Sequence, residues 1–421
     1  MKFKSKWNSA LMVFMLVMTW MGCSSDSPSE GETQQPPAFE VTPFNPVTVS
    51  KQNSTKIYMH YMPWFETKES SGNNQWGYHW TMANRNPDNI DSNGRRDIAS
   101  HYYPLIGPYH SGDPDVIENH LLMMKYAGID GVLIDWYGVH NVNDYPMIKE
   151  NTEQLIALLD KVGLEFAMVY EDRFLNVIVD QGMAISAIGA AKIDMQYLQS
   201  QCFNHSQYTN VNGKPLLLNF GPITLTDPAD WTNVFSVLNE QPTFLTLWNQ
   251  SYQAGSNASG EYTWVYENNN NLQNYYNTVS GLDVVMGSAY PGFHDFYQEG
   301  GAGTVIGWTI DHNNGATLAE TLEMASTANL DFLQLVTWND FGEGTMIEPT
   351  VEFGYSYLEQ IKSFAEVQNL PSVFDRISDL FTLRKAHATN NEIQQKLDQV
   401  FYYMVSLQTN EAIQLLNSID N

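Results

Sequence analysis

Short, nearly continuous apolar runs recur along the chain, each ending in polar, aromatic or acidic residues and each followed by apolar positions at helical spacing. The first is IYMHYMPWF (57–65), followed by a long loop that contains QWGYHW and HYYPLIGPYHSGD. PDVIENHLLMMKYAG (114–128) then reads as a helix, with Pro114 at its start and Gly128 at its stop. IDGVLIDWYG (129–138) predicts a buried strand that ends in Asp135 and Trp136. MIKENTEQLIALLDKVG (147–163) predicts a helix closing on glycine, and LEFAMVYED (164–172) another strand that ends in acids. The alternation continues through AIGAAKIDMQYLQSQ, KPLLLNFG (214–221), TNVFSVLNEQ and TFLTLWN (243–249). DVVMGSAYPGF (283–293), TVIGWTID (304–311), GATLAETLEMASTANL and DFLQLVTWND (331–340) complete it.

Strand candidates therefore start near residues 57, 131, 165, 215, 243, 284, 305 and 332. Continuous apolar strands separated by helices imply a parallel sheet covered by helices. Eight of them favour a closed α/β structure, a (β/α)8 TIM barrel, over an open doubly wound sheet. Beyond Pro371 the pattern is helical only, in SVFDRISDLFTLRKAH and NEIQQKLDQVFYYMVSLQTNEAIQLLNSI. The expected organisation is a barrel over 41–368 with a C-terminal helical extension over 369–421 packed on it.

The amino-terminal residues change the picture of location. Three lysines, the apolar stretch Ala10 to Met21 and then Gly22-Cys23 have the layout of a secretory signal over 1–22. They resemble a bacterial lipoprotein signal, which implies that Cys23 is the lipidated first residue of an exported protein anchored to the outer membrane, on its surface or periplasmic face. Residues 23–40, rich in Ser, Pro, Gly and Glu, read as a disordered tether. With Cys23 acylated, Cys202 is the remaining thiol and no intrachain disulfide is expected.

Charge and motifs exclude several partners. A formal net charge of −27 repels phosphate backbones and anionic headgroups, so no nucleic acid is expected and membrane contact runs through the lipid alone. No GxGxxG or Walker pattern follows a strand, which counts against nucleotides. His60, His79, His101 and His110 fall in one region, but their spacing fits no metal motif. No metal or other cofactor is expected, and the chain is expected to be a monomer.

The chemistry concentrates in TWNDFGEGTMIEP (337–349), three acids at the end of an apolar strand with no Lys or Arg between Asn313 and Lys362. Asp340 and Glu343 are three apart, so on an extended strand they would face opposite ways. A turn at Phe341-Gly342, continued by Gly344, can aim both into one bowl. Active sites of such barrels lie at the C-terminal ends of the strands. The side chains expected there include His60, Trp64, Asp135, Trp136, Glu171, Tyr290, Trp338, Asn339, Asp340 and Glu343, with Glu348 either a substrate contact or the acid that starts the next helix. Carboxylates and aromatics suit a neutral, hydroxylated ligand. Paired carboxylates are what glycosidic hydrolysis normally requires.

TWNDFGEGTMIEP resembles the NEWHEGTQIEP-type signature of glycoside hydrolase family 99, the endo-acting α-mannosidases and α-mannanases, with a WNDYGE flavour of the family 71 α-1,3-glucanases. HYYPLIGPYHSGDPDVIENHLLMMKYAGIDGVLIDWYG and VYED are similar to the family 99 segments from the first barrel loop to the third strand, so the likeness spans roughly 57–360. The resemblance implies that Glu343 is the general acid. Asp340 matches the base that deprotonates the sugar 2-hydroxyl so that it attacks the anomeric carbon. Glu171 matches a supporting carboxylate, and Tyr58, Tyr290 and Trp136 are further subsite candidates. Asp340 stands where the family has glutamate and Gly342 where it has histidine, which leaves direct attack by water open. The expectation is a hydrolase of α-linked polysaccharide, α-mannan-like. The alternatives are an α-1,3-glucanase-like hydrolase and a catalytically impaired glycan-binding lipoprotein.

Overall fold

The structure is a computed structural model that describes residues 39–419. The predicted leader, Cys23 and the tether up to residue 38 lie outside the described residues. Eight parallel strands form the barrel: β1 (Lys56–Tyr61), β2 (Gly131–Trp136), β3 (Glu165–Tyr170), β4 (Lys214–Asn219), β5 (Thr243–Leu247), β6 (Gly260–Tyr262), β7 (Val284–Ala289) and β8 (Phe332–Leu335). Each pairs with the next, and β8 closes on β1 through the register Ile57 to Leu333. Their near-continuous apolar character follows from position, since one face packs inside the barrel and the other against helices.

The covering helices are α1 (Pro114–Tyr126), α2 (Tyr145–Val162), α3 (Ala187–Gln201), α4 (Pro228–Phe235), α5 (Asn269–Thr278), α6 (Ala316–Ala328) and α7 (Ser356–Phe364). Their starts carry readable chemistry. Asp113, Ser186 and Asp227 accept backbone N–H groups at the first turns of α1, α3 and α4, and Pro114 and Pro228 occupy first helical positions. The β5–β6 connection has only the short helical turn Ser251–Ala254 in place of a full helix.

One strand expectation is corrected. Residues 304–311 form no barrel strand: Val305 is 67% exposed, Gly307 has φ +81°, and Ile310 pairs instead with Phe293 in the loop after β7. The eighth strand is β6, only three residues long. A Cβ on Gly260 would sit 1.7 Å from the Val284 carbonyl oxygen, so only glycine allows β6 to approach β7 this closely.

The C-terminal extension forms α8 (Phe374–Ala386), α9 (Asn391–Val405) and α10 (Thr409–Ile419). Leu407, with φ +60°, ends the long helical run between the last two. A buried ion pair ties this layer to the barrel. Arg384 of α8 donates from Nε and Nη2 to Glu118 of α1 at 2.9 and 2.8 Å, and from Nη1 to Asp398 of α9 at 2.7 Å. The first described residues lie on the same layer: Thr42 exchanges hydrogen bonds with the Gln399 side chain, and Phe44 stacks on Tyr403.

Breaking one half of a buried pair strands the other charge. Arg384→Met is therefore expected to cost about 3–5 kcal/mol in chemical denaturation, and Arg384→Met with Glu118→Leu to recover most of it. Equal losses in the single and double variants would show that the pair does not set this interface.

Candidate active site

The stretch after β8 leaves the barrel and turns as its glycines allow. Thr337 N–H donates to the Thr345 carbonyl at 2.9 Å and Thr345 N–H to the Asp340 carbonyl at 3.2 Å, which closes the turn. Gly344 has φ +66°, and a Cβ there would meet the His294 carbonyl oxygen at 2.6 Å. The loop after β7 runs alongside: His294 and Phe296 donate their N–H groups to the carbonyls of Glu343 and Gly342 at 2.9 and 2.8 Å. Asp340 Oδ1 accepts the Glu343 N–H at 2.9 Å, so the two acids are fixed against each other by main chain.

Asp340 and Glu343 line a cleft of about 190 Å³ over the C-terminal ends of the strands, together with Asp135, Glu171, His60 and Trp64. Arg173 is the single Lys or Arg of the lining. Its Nε lies 2.7 Å from Glu171 Oε2 but off the N–H axis, an ion pair rather than a well-formed hydrogen bond, and its guanidinium sits over the Phe220 ring.

Loss of water dominates the electrostatics. Burial raises the Asp340 carboxyl well above the usual range, and the Glu343 charge adds to it against the Glu343 and Gly342 N–H groups. Burial also raises Glu343, opposed by donation from Trp264 Nε1 at 3.4 Å and the Tyr297 hydroxyl at 3.2 Å. Glu171 is pushed up to about 8 by burial, with Arg173 pulling the other way. Asp135 is raised by burial and by Glu171, and its Oδ2 is buried without a partner. His60 is driven down to about 4 by burial, its Nδ1 facing Gln334 Oε1 at 3.2 Å and its ring edge-on to Trp264. The cleft thus holds carboxyls that share protons and an imidazole that stays neutral.

Six other candidates lie outside the cleft. Tyr58 sits two residues before His60 on the same strand face, one layer deeper, and donates to Glu165 Oε2 at 2.6 Å. Trp136 follows Asp135 and so points to the opposite face, stacked on Tyr197 of α3. Tyr290 donates its hydroxyl to Asn269 of α5. Trp338 packs edge-on to His120 of α1. Asn339 clamps both backbone groups of Met62 and is fully buried. Glu348 accepts the Tyr109 hydroxyl at 2.6 Å and faces His120 Nε2 at 3.2 Å. These last three anchor the acidic turn to the β1 loop and α1, and Glu348 starts no helix.

Trp264, Tyr297, Phe220 and Met82 also line the cleft and carry no periodic signal. Trp264 lies two residues past the short strand β6, and Tyr297 lies in a loop. His79, set aside as a metal candidate, stacks on Trp64 at 4.1 Å and 7°, making a flat aromatic platform at the rim.

A carboxyl raised in the fold costs stability as pH climbs from its ordinary range to its folded pKa. Glu171→Gln is expected to gain on the wild type from about pH 5 to about pH 8, by up to roughly 1.4 kcal/mol per pH unit, in denaturant titrations. A difference that does not change with pH would contradict the assigned burial cost.

Comparisons with known proteins bear on the fold and the family. The glycosyl hydrolase family 99 model matches residues 52–254. A glycoprotein endo-alpha-1,2-mannosidase-like protein of Danio rerio is 25% identical over 295 residues, covering 61% of this chain and 60% of its own. The glycoprotein endo-alpha-1,2-mannosidase of Mus musculus is 23% identical over 334 residues, covering 70% and 68%. The chain spans about three-fifths of the length of the first of these relatives. Among solved structures, the GH99 endo-alpha-mannosidase from Bacteroides thetaiotaomicron superposes with a TM-score of 0.57 at 18% identity, covering 74% of this chain and 96% of that one. At that identity the likeness speaks for the barrel fold, and the sequence matches carry the kinship. Residues 52–254 therefore carry the glycoside hydrolase family 99 match, and the chain is similar in sequence to the endo-alpha-mannosidases.

Proposed function

We propose that this chain hydrolyses internal bonds of an α-linked polysaccharide, α-mannan first, with Glu343 as general acid and Asp340 as base. The observation that carries the reading is the pair itself: two adjacent carboxyls at the end of β8, Asp340 buried and Glu343 partly buried, both raised above their ordinary range. Such a pair holds its proton to higher pH than an ordinary carboxyl does, which suits a general acid. Trp264 and Tyr297 grip Glu343 from the side and fix its position. Asp340 Oδ1 accepts the Glu343 N–H, which holds the carboxyl in place beside Glu343.

In this reading Glu343 gives its proton to the leaving glycosidic oxygen while Asp340 takes the proton of the sugar 2-hydroxyl. That oxygen closes on the anomeric carbon as the glycosidic bond breaks, and water then opens the three-membered ring with the two roles reversed. Two displacements at one carbon give net retention. Direct attack by water activated by Asp340 is one displacement and gives inversion. Asp340 is a methylene shorter than the residue it replaces, which supports keeping this second reading. The amino-terminal signal supports a lipid-anchored, exported location through Cys23, which Cys23→Ser would release from the membrane fraction.

Reducing-end release from α-mannan and α-1,3-glucan tests the activity. Wild type is expected to cleave one of them and Glu343→Gln to lose about 10²–10⁴-fold in kcat while still binding the glycan. Wild-type silence on both with binding retained would favour the binding-only protein. NMR of the first-formed anomer separates retention from inversion. A raised Glu343 also predicts that activity persists above the usual carboxylate range and falls as pH rises further, since the acid must keep its proton.

A further inference from the structure

A second concavity, of about 510 Å³, lies on the far side of the loop after β7. The two share a wall: Phe296 lines the larger groove, and the next residue, Tyr297, donates to Glu343 in the cleft. The groove holds Arg85, Arg95 and Arg96, three of only six arginines in a chain of net charge −27. Each is propped over an aromatic ring: Arg85 over Phe296 at 4.9 Å, Arg95 over Tyr103 at 5.7 Å and Arg96 over Trp76 at 5.3 Å.

The nearby acids do not use up these guanidinium groups. Asp91 accepts the N–H groups of Asn93 and Arg95, Asp97 accepts that of Asn86, and Glu352 accepts that of Tyr103, so all three are engaged in holding loop backbone. Their approaches to arginine are long, 3.5 Å from Asp97 to Arg85 and 3.5 Å from Glu352 to Arg95. Arg85 Nε is buried without any partner. Each guanidinium carries five N–H donors in a fork that fits carboxylate or phosphate; Arg96 gives one of them to the Pro87 carbonyl at 2.8 Å, which leaves Arg85 and Arg95 as the two more weakly engaged forks.

We propose that this groove is a second carbohydrate site, taking an anionic substituent, phosphate or carboxylate, on a branch of the glycan whose backbone occupies the cleft. The arginine forks bind the anion, and the partly buried Tyr103, beneath Arg95, borders the sugar that carries it. The proposal rests on the glycan reading of the cleft for its substrate, but its binding chemistry does not depend on catalysis.

The test is calorimetric binding to the full chain carrying Glu343→Gln, with mannose 6-phosphate, glucuronic acid, mannose and inorganic phosphate as probes. An anionic sugar is expected to bind at least tenfold tighter than mannose. Arg95→Gln and Arg85→Gln, each added separately, are expected to weaken it by about tenfold. Preference for the sugar phosphate or for the uronate identifies the anion. Inorganic phosphate binding as well as either sugar would overturn the sugar part of the proposal. Anionic sugars binding no better than mannose, or equally well to both arginine variants, would overturn the site itself. Circular dichroism identifies a misfolded variant, and the other then decides. In the otherwise wild-type protein, Arg95→Gln is expected to leave cleavage of a neutral glycan unchanged. Absence of cleavage with anion binding intact would therefore count against the cleft reading and not against this groove.

Discussion

The cost of keeping carboxylates away from water organises this molecule. Asp135, Glu171, Asp340 and Glu343 converge above the barrel with Arg173 as the one guanidinium among them. In a site this dry the charged forms are disfavoured, and one cation cannot offset four anions. The cluster answers by holding protons. Everything that fixes the geometry of those four groups therefore also fixes their protonation.

That geometry is held from behind by polar side chains that never reach the cleft. Asn339 clamps the backbone of Met62, Glu348 joins Tyr109 to His120, and Thr337 Oγ1 accepts the Asp340 N–H. Asp172 does the same for the neighbouring rim, accepting the N–H groups of Ile223, Thr224 and Leu225 beside Glu171 and Arg173. Each is buried and paired, as buried polar groups must be. The residues of TWNDFGEGTMIEP thus divide by direction: Asp340 and Glu343 face the cleft, while Trp338, Asn339 and Glu348 secure the turn to the first barrel loop.

Seven of the eight strands were legible as continuous apolar runs, because both faces of a barrel strand are covered. The eighth was misplaced for physical reasons. Strand β6 is three residues long and begins at a glycine, whereas 304–311 is apolar enough to pass for a strand and becomes an exposed arm. Helix α5 was missed because NNNLQNYYNT is poor in strong helix formers, its stability coming from packing rather than propensity. In the site, the carboxylates were legible because acids at the end of an apolar run are costly and therefore informative. Trp136 and Tyr58 were not separable from true lining residues without the strand register, which decides face and depth. Trp264 and Tyr297 belong to a short strand's end and a loop, where no periodicity exists to read.

The central claim is that the cleft retains a proton on its carboxyls at neutral pH. Infrared difference spectroscopy of the wild type against Glu343→Gln, followed through a pH titration, reads protonated carboxyl groups directly. The account predicts a protonated carboxyl band that persists at pH 7 and changes in the variant. Its complete loss by pH 5, in both proteins alike, would contradict it.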